Sequence, residues 1–295
     1  MQKRAVAVRK VLGFFGFLLV LAWPAVRVVH AFTRSALVVE WVLATAALGA
    51  SWVATKIDGR PLASVGFAGR ARARSFGAGL LLGTMIVAGS AAIFTCLGWY
   101  KARLALAVPF CPWLVAAVGL SALVALFEET LFRGYALQTV ADAFGRPSAI
   151  IVTGALFGAL HLINPTPGMA PWLKLVGCGC VAAYGMCAAI ARLVTGGLWL
   201  PIGMHFAWNL LEEFVFGFAD SGVASDGALL RATVTGPVLL TGGAYGPEGG
   251  LVMLVLAGVA MAVLLSCLSR AEARASVLER NTASASYAPS VDEGS

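Results

Sequence analysis

Apolar residues fill this chain in long unbroken runs, with most charged residues gathered between them. A helix needs about 20 apolar residues to cross a hydrocarbon core of about 30 Å. Eight runs come near that length: Val11–Val29, Ala36–Ala54, Phe76–Trp99, Phe110–Leu137, Ser148–Ile163, Trp172–Arg192, Leu198–Phe218 and Gly250–Leu268. The pattern predicts an all-α fold, a polytopic transmembrane helix bundle of about eight spans. No repeat at a fixed period and no inverted pair of interrupted apolar segments divides it, so the plainest mark of a secondary transporter is missing. The expected organisation is N-terminal transmembrane helices over 1–109, a helical core over 110–218, an extracytoplasmic loop over 219–249, a last transmembrane helix over 250–269 and a tail over 270–295. The loop is rich in Gly with scattered Asp and Thr and reads as a passive solvated connection. The tail loses apolar periodicity and is expected to be disordered and cytoplasmic.

Charge orients the bundle. Lys3, Arg4, Arg9 and Lys10 precede the first run, and Lys56, Arg60, Arg70, Arg72 and Arg74 fall between the second and third. Cytoplasmic loops carry such an excess of Lys and Arg, so the amino terminus is expected inside. Eight crossings then put Arg146, Arg192 and the Arg270, Arg274, Arg280 tail inside too, with both termini cytoplasmic. A cleaved secretory signal ending at Val29-His30-Ala31 is an alternative for the first run and would leave the later helices oriented as before. Usage of Ala, Gly and Arg suggests a GC-rich bacterial genome, hence a multi-pass protein of the bacterial inner membrane.

Composition agrees with the pattern: 60% of residues are hydrophobic and 12% charged, against about one-quarter charged in soluble domains. The net charge of +7 lies in loops beside the spans without an aromatic-interleaved patch, so nucleic acid is not an expected partner. Six cysteines, Cys96, Cys111, Cys178, Cys180, Cys187 and Cys267, form no CxxC pair and read as small packing residues.

Ionisable groups at bilayer depth are costly, so those inside spans are candidates for function. Glu128 and Glu129 follow the apolar stretch Leu114–Phe127 and are expected at the inner half of the fourth span. Glu129 and Arg133 are four apart on one helix face and suit a salt bridge, which leaves Glu128 as a candidate general base or acid. His161 closes the fifth span with Phe157 one turn earlier on the same face. In the seventh, His205 and Asn209 share a face and suit donation to an oxyanion. Read singly, each cluster also fits a structural role: a wet ion pair, a hydrogen-bonded core imidazole, or interhelical glue. Their conjunction on three helices, in a chain with three histidines, favours a site. The third, His30, lies at a helix end beside Arg27 and reads as interfacial. Ser121 reads as a packing residue.

Glu128-Glu129-x-x-x-Arg133, Phe157-x-x-x-His161 and His205-x-x-x-Asn209, in this order, resemble the three signature motifs of the CPBP (Abi) family of intramembrane proteases, which includes the CAAX prenyl endopeptidases of the second type. The resemblance covers about Leu120 to Leu211. It implies that Glu128 with His161 activates the attacking water, that His205 and Asn209 stabilise the oxyanion, and that Glu129, Arg133 and Phe157 support them. It also implies a membrane-anchored or lipidated protein as substrate, cut near the cytoplasmic half of the bilayer.

No cofactor is favoured, because no HExxH helix is present and Asn serves an oxyanion better than a metal. The zinc alternative would use Glu128, His161 and His205 as ligands. A different class of function, a non-proteolytic immunity partner or a proton-coupled transporter, could use the same buried groups as a proton relay. A transpeptidase variant would need a nucleophilic thiol, and none of the cysteines has a histidine beside it in sequence.

Overall fold

The computed structural model describes residues 2–33, 35–68, 71–105, 109–223 and 227–286, with side chains to 270. Arg70 and the stretch 287–295 of the expected tail lie outside these residues, as do the side chains of Arg274 and Arg280.

The apolar runs fold as helices: α1 (Gln2–Phe32), α2 (Ala36–Ile57), α3 (Arg72–Cys96), α4 (Phe110–Glu129), α5 (Leu137–Phe144), α6 (Arg146–Leu160), α7 (Pro171–Thr195), α8 (Trp199–Asn209), a short α9 (Val238–Thr241) and α10 (Leu251–Ser286). A two-stranded antiparallel ribbon is added outside the bundle, with β1 (Tyr100–Leu104) paired to β2 (Leu230–Val234) so that Ala102 faces Ala232.

Seven of the described helices are long and apolar enough to cross a membrane, one fewer than the sequence pattern counts. The difference is the expected span Leu198–Phe218. There α8 has 11 residues and the π-helical segment Leu210–Val215 adds 6, about 25 Å of rise at roughly 1.5 Å per residue. The segment is apolar because it is enclosed by protein: His205, Asn209 and Glu212 are all buried on it. The second difference is α10, which continues to Ser286 instead of ending at Leu268, so the expected disordered tail is helical as far as described. The Ala, Glu, Arg and Leu of 271–280 are good helix formers and need no apolar face to favour that conformation.

Close backbone contact holds the site-bearing helices. Gly154 and Gly158 of α6 face Ala182 and the Cys178 carbonyl of α7, with no room there for a Cβ. Gly79 and Gly83 of α3 meet α8 at Leu200 and Met204, and Gly203 of α8 returns the contact at Phe76. These are small-xxx-small contacts of the kind that pack helices in lipid, where apolar burial alone gives no drive to associate.

The two ends of the bundle differ in charge. At one end Lys10 pairs with Asp58 at 2.8 Å, Arg60 with Asp142 at 2.7 Å, Arg192 donates to the Ser64 carbonyl at 3.1 Å, and Arg4 lies 5.7 Å over the Phe144 ring. The 22 residues of α2, about 33 Å long, separate this end from Ala36 and Glu40.

Candidate active site

Helix α4 does not stop at Glu129. It passes through a π-helical segment, Thr130–Ala136, whose Gly134 leaves helical geometry at φ −76° and ψ −106°, and then resumes as α5. A π turn breaks the regular helical hydrogen-bond ladder and re-aims the side chains around it. Here all seven residues of the segment are buried. Arg133 Nη1 lies 3.3 Å from Glu129 Oε1, and Nη2 donates to the Gly185 carbonyl of α7 at 2.9 Å. The guanidinium also lies 4.4 Å from the Phe157 ring centroid. Glu129 and Arg133 are fully buried, so their pairing and the Gly185 contact are what make both charges tolerable there.

Glu129 reaches a second partner: its Oε1 lies 2.9 Å from Nδ1 of His205. That contact fixes the imidazole so that Nε2 points to Glu128, 3.6 Å from its Oε2. His161 is fixed in the same manner, with Nδ1 at 2.7 Å from the Phe157 carbonyl and its ring 4.8 Å from the Phe157 ring. Phe157 thus touches Arg133 and both histidines, its ring lying 6.1 Å from that of His205.

Glu128, His161, His205 and Asn209 line one cavity of about 310 Å³ with Phe157. Glu129 and Arg133 stand behind it and hold its wall. Glu128 lies on the 35-residue run Phe110–Phe144. The cavity is bounded by Ala36, Asn164 and the stretch Asp220–Val223, all at helix starts or ends away from Lys10, Arg60 and Arg192. These bounding residues lie at the end of the bundle away from that ion-pair cluster.

The structure adds residues to the wall that the sequence motifs leave out: Glu40, Ser121, Tyr184, Glu213, Asp220, Ser221 and Glu248. Glu40 had a readable signal, as the single charged residue in the run Ala36–Ala54. The segment 219–249 does more than connect. Gly222 N–H donates to the Tyr245 carbonyl at 2.7 Å, Glu248 N–H to Glu212 Oε1 at 3.2 Å, and Ser221 Oγ–H to Glu248 Oε1. Trp113 Nε1–H donates to the Gly227 carbonyl at 2.5 Å, tying the segment to α4, and its β2 pairs with β1. Burial, then the nearby Glu248 charge, pushes Asp220 up to about 7. Burial pushes Glu248 up to about 7, against the lowering effect of the Ser221 hydroxyl.

Imidazole and carboxylate are donors that suit zinc. Among the described residues, however, no three His, Cys, Asp or Glu side chains are grouped to hold a metal ion. The chemistry below is derived from the side chains alone. Cys178, Cys180 and Cys187 are buried and free, and none lines the cavity.

Residues 109–211, from the start of α4 to the end of α8, match the family model described as type II CAAX prenyl endopeptidase Rce1-like. No curated protein and no solved structure matches the chain.

Proposed function

We propose, from the match of residues 109–211 to the Rce1-like, type II CAAX prenyl endopeptidase model of the CPBP family, that this chain is an intramembrane endopeptidase using water activated by Glu128 and His161. The observation that carries this reading is the convergence of Glu128, His161, His205 and Asn209 on one cavity. With its Nδ1–H given to the Phe157 carbonyl, His161 keeps a lone pair on Nε2. That nitrogen and the Glu128 carboxylate draw a proton from water as its oxygen bonds to the scissile carbonyl carbon. The carbonyl π pair moves onto oxygen, and the leaving amine recovers the proton as the C–N bond breaks.

His205 and Asn209 stabilise the oxyanion. Glu129 accepts from Nδ1–H of His205, so Nε2 faces the reaction, and it donates to the oxyanion from the imidazolium form that the Glu128 and Glu129 carboxylates favour. Arg133 holds Glu129, and Phe157 braces both histidines. The substrate on this reading is a membrane-anchored or lipidated protein entering sideways between helices.

The test is cleavage of membrane-anchored and prenylated reporter peptides by purified protein in lipid, with Glu128→Gln and a strong chelator alongside. Loss of turnover by about 10²-fold or more in the variant, the range of general-base catalysis, with chelator resistance, is the expected result. Equal turnover in variant and wild type would overturn the mechanism, and chelator sensitivity would return the zinc alternative. A non-proteolytic membrane protein would bind its partner equally well with Gln at 128.

A further inference from the structure

Four tyrosine side chains are described, and three of their hydroxyls have a partner within the protein. Tyr100 Oη–H donates to the Phe216 carbonyl at 2.8 Å, Tyr135 Oη–H to Asp58 Oδ2 at 2.9 Å, and Tyr245 Oη lies 3.7 Å from Cys178 Sγ. Tyr184 is the exception. Its Oη has no hydrogen-bond partner among the described residues, on a residue 5% exposed. Smaller buried hydroxyls can return to their own helix, as Thr139 does to the Tyr135 carbonyl and Thr153 to the Ala149 carbonyl. A phenol carries its oxygen past its own backbone, so the partner has to come from elsewhere.

Tyr184 extends from α7 and lines the cavity with Glu128, His161, His205 and Asn209. Its ring meets the His205 imidazole edge to face, with centroids 5.7 Å apart and planes at 78°. It also packs on Trp208 at 4.4 Å and approaches Phe157 at 6.2 Å. The phenol is thereby held beside the imidazole that faces the oxyanion in the mechanism above. Phe would fill the same space and bury no unmatched polar atom. The ligand-free protein thus carries a hydroxyl that costs it stability, and such a group is satisfied when a polar partner arrives. An oxygen gaining negative charge in a dry site is the partner that benefits most from a preset neutral donor.

We propose that Tyr184 is a further catalytic residue, whose Oη–H donates a hydrogen bond to the scissile carbonyl oxygen as it becomes the oxyanion, next to His205. The phenol keeps its proton throughout, and its hydrogen bond weakens again as the carbonyl re-forms and the amine leaves. The proposal rests on the hydrolytic reading above and adds a residue of α7 to groups otherwise drawn from α4, the end of α6 and α8.

The test compares wild type, Tyr184→Phe and Glu128→Gln, purified in lipid, on a prenylated CAAX reporter peptide and on its analogue with a phosphinate in place of the scissile amide. The phosphinate presents anionic oxygens on a tetrahedral centre and is not cleaved. Tyr184→Phe should lower kcat by about 10²-fold, the loss typical of one oxyanion donor, with KM little changed. It should bind the phosphinate more weakly than wild type does and, without ligand, unfold at a midpoint no lower than wild type's. A packing role would be preserved by Phe and would move neither kcat nor phosphinate binding.

Equal kcat, or a loss confined to KM, would overturn the proposal. So would a lowered midpoint, which would make the fit of the ring the source of any loss. Glu128→Gln should stop turnover and still bind the phosphinate. Full turnover in that variant would remove the hydrolytic mechanism, while the phosphinate comparison, which needs no cleavage, would still decide whether the hydroxyl meets an anionic oxygen. A phosphinate bound equally by wild type and Tyr184→Phe, or by neither, would overturn the proposal.

Discussion

The two ends of this bundle treat charge in opposite ways. At the basic end Lys10 meets Asp58, Arg60 meets Asp142 and Arg192 meets a backbone carbonyl. At the cavity end five carboxylates share one wall with two histidines. Between them lies the dry layer of Glu129, Arg133 and His205. The difference is one of dielectric: near water, an ion pair is replaceable and serves mainly to set orientation, whereas inside the bundle every charge depends on its partner.

The sharpest way to break that contrast is Arg133→Met. It would leave Glu129 buried without a counter-charge and the Gly185 carbonyl without its donor, and should cost about 3–5 kcal/mol, read as a lower unfolding midpoint in detergent. Pairing it with Glu129→Gln should cost less than the two single losses added together, since the members of a network do not act independently.

A smaller effect is expected from Asp220→Asn, and it depends on pH. The Asp220 carboxyl is pushed from 3.8 to about 7 in the folded protein, so folding favours its protonated form. The unfolded chain ionises first as pH rises, and the stability contributed by this group is lost across roughly pH 4 to 7 and then levels off. Glu248, Glu128, His161 and His205 act on the same carboxyl. Wild type should therefore lose more midpoint temperature between pH 5 and 8 than Asp220→Asn, by about 2–4 °C; identical slopes would show that the carboxyl is not held out of water.

The smallest change is expected at the other end. Lys10→Ala should lower stability by less than about 1 kcal/mol, because its side chain is 37% exposed and the buried Asp58 keeps Arg60 and the Tyr135 hydroxyl. A loss as large as that of Arg133→Met would erase the distinction between the ends.

The helical class and the three motif clusters were legible because both signals are local. An apolar run reads as a span without knowledge of its neighbours, and an i, i+4 pair such as His205 and Asn209 states its own geometry. The count of spans was not, since hydropathy cannot tell a helix facing lipid from one facing other helices, and α8 is the second kind. The Glu129 contact to His205 was also hidden: it joins residues 76 apart in sequence, and periodicity speaks only for Glu129 and Arg133. Asp220 and Glu248 left least trace, standing in a Gly-rich stretch whose fold is set by contacts with Phe214 and Glu212. Glu40 could have been found by asking why one carboxylate interrupts an otherwise apolar run.

The π-helical segments that follow Glu129 and Asn209 bear on how this chain can change length. A helix turns by about 100° per residue, so removing any one position from 130–136 would restore a regular spiral while swinging either Arg133 or all of α5 away from its contacts. Residues can be gained or lost in a connecting loop with the bundle unchanged. Within these two turns the register itself is the inherited feature, and lineages should exchange amino acids there far more readily than they insert or delete them.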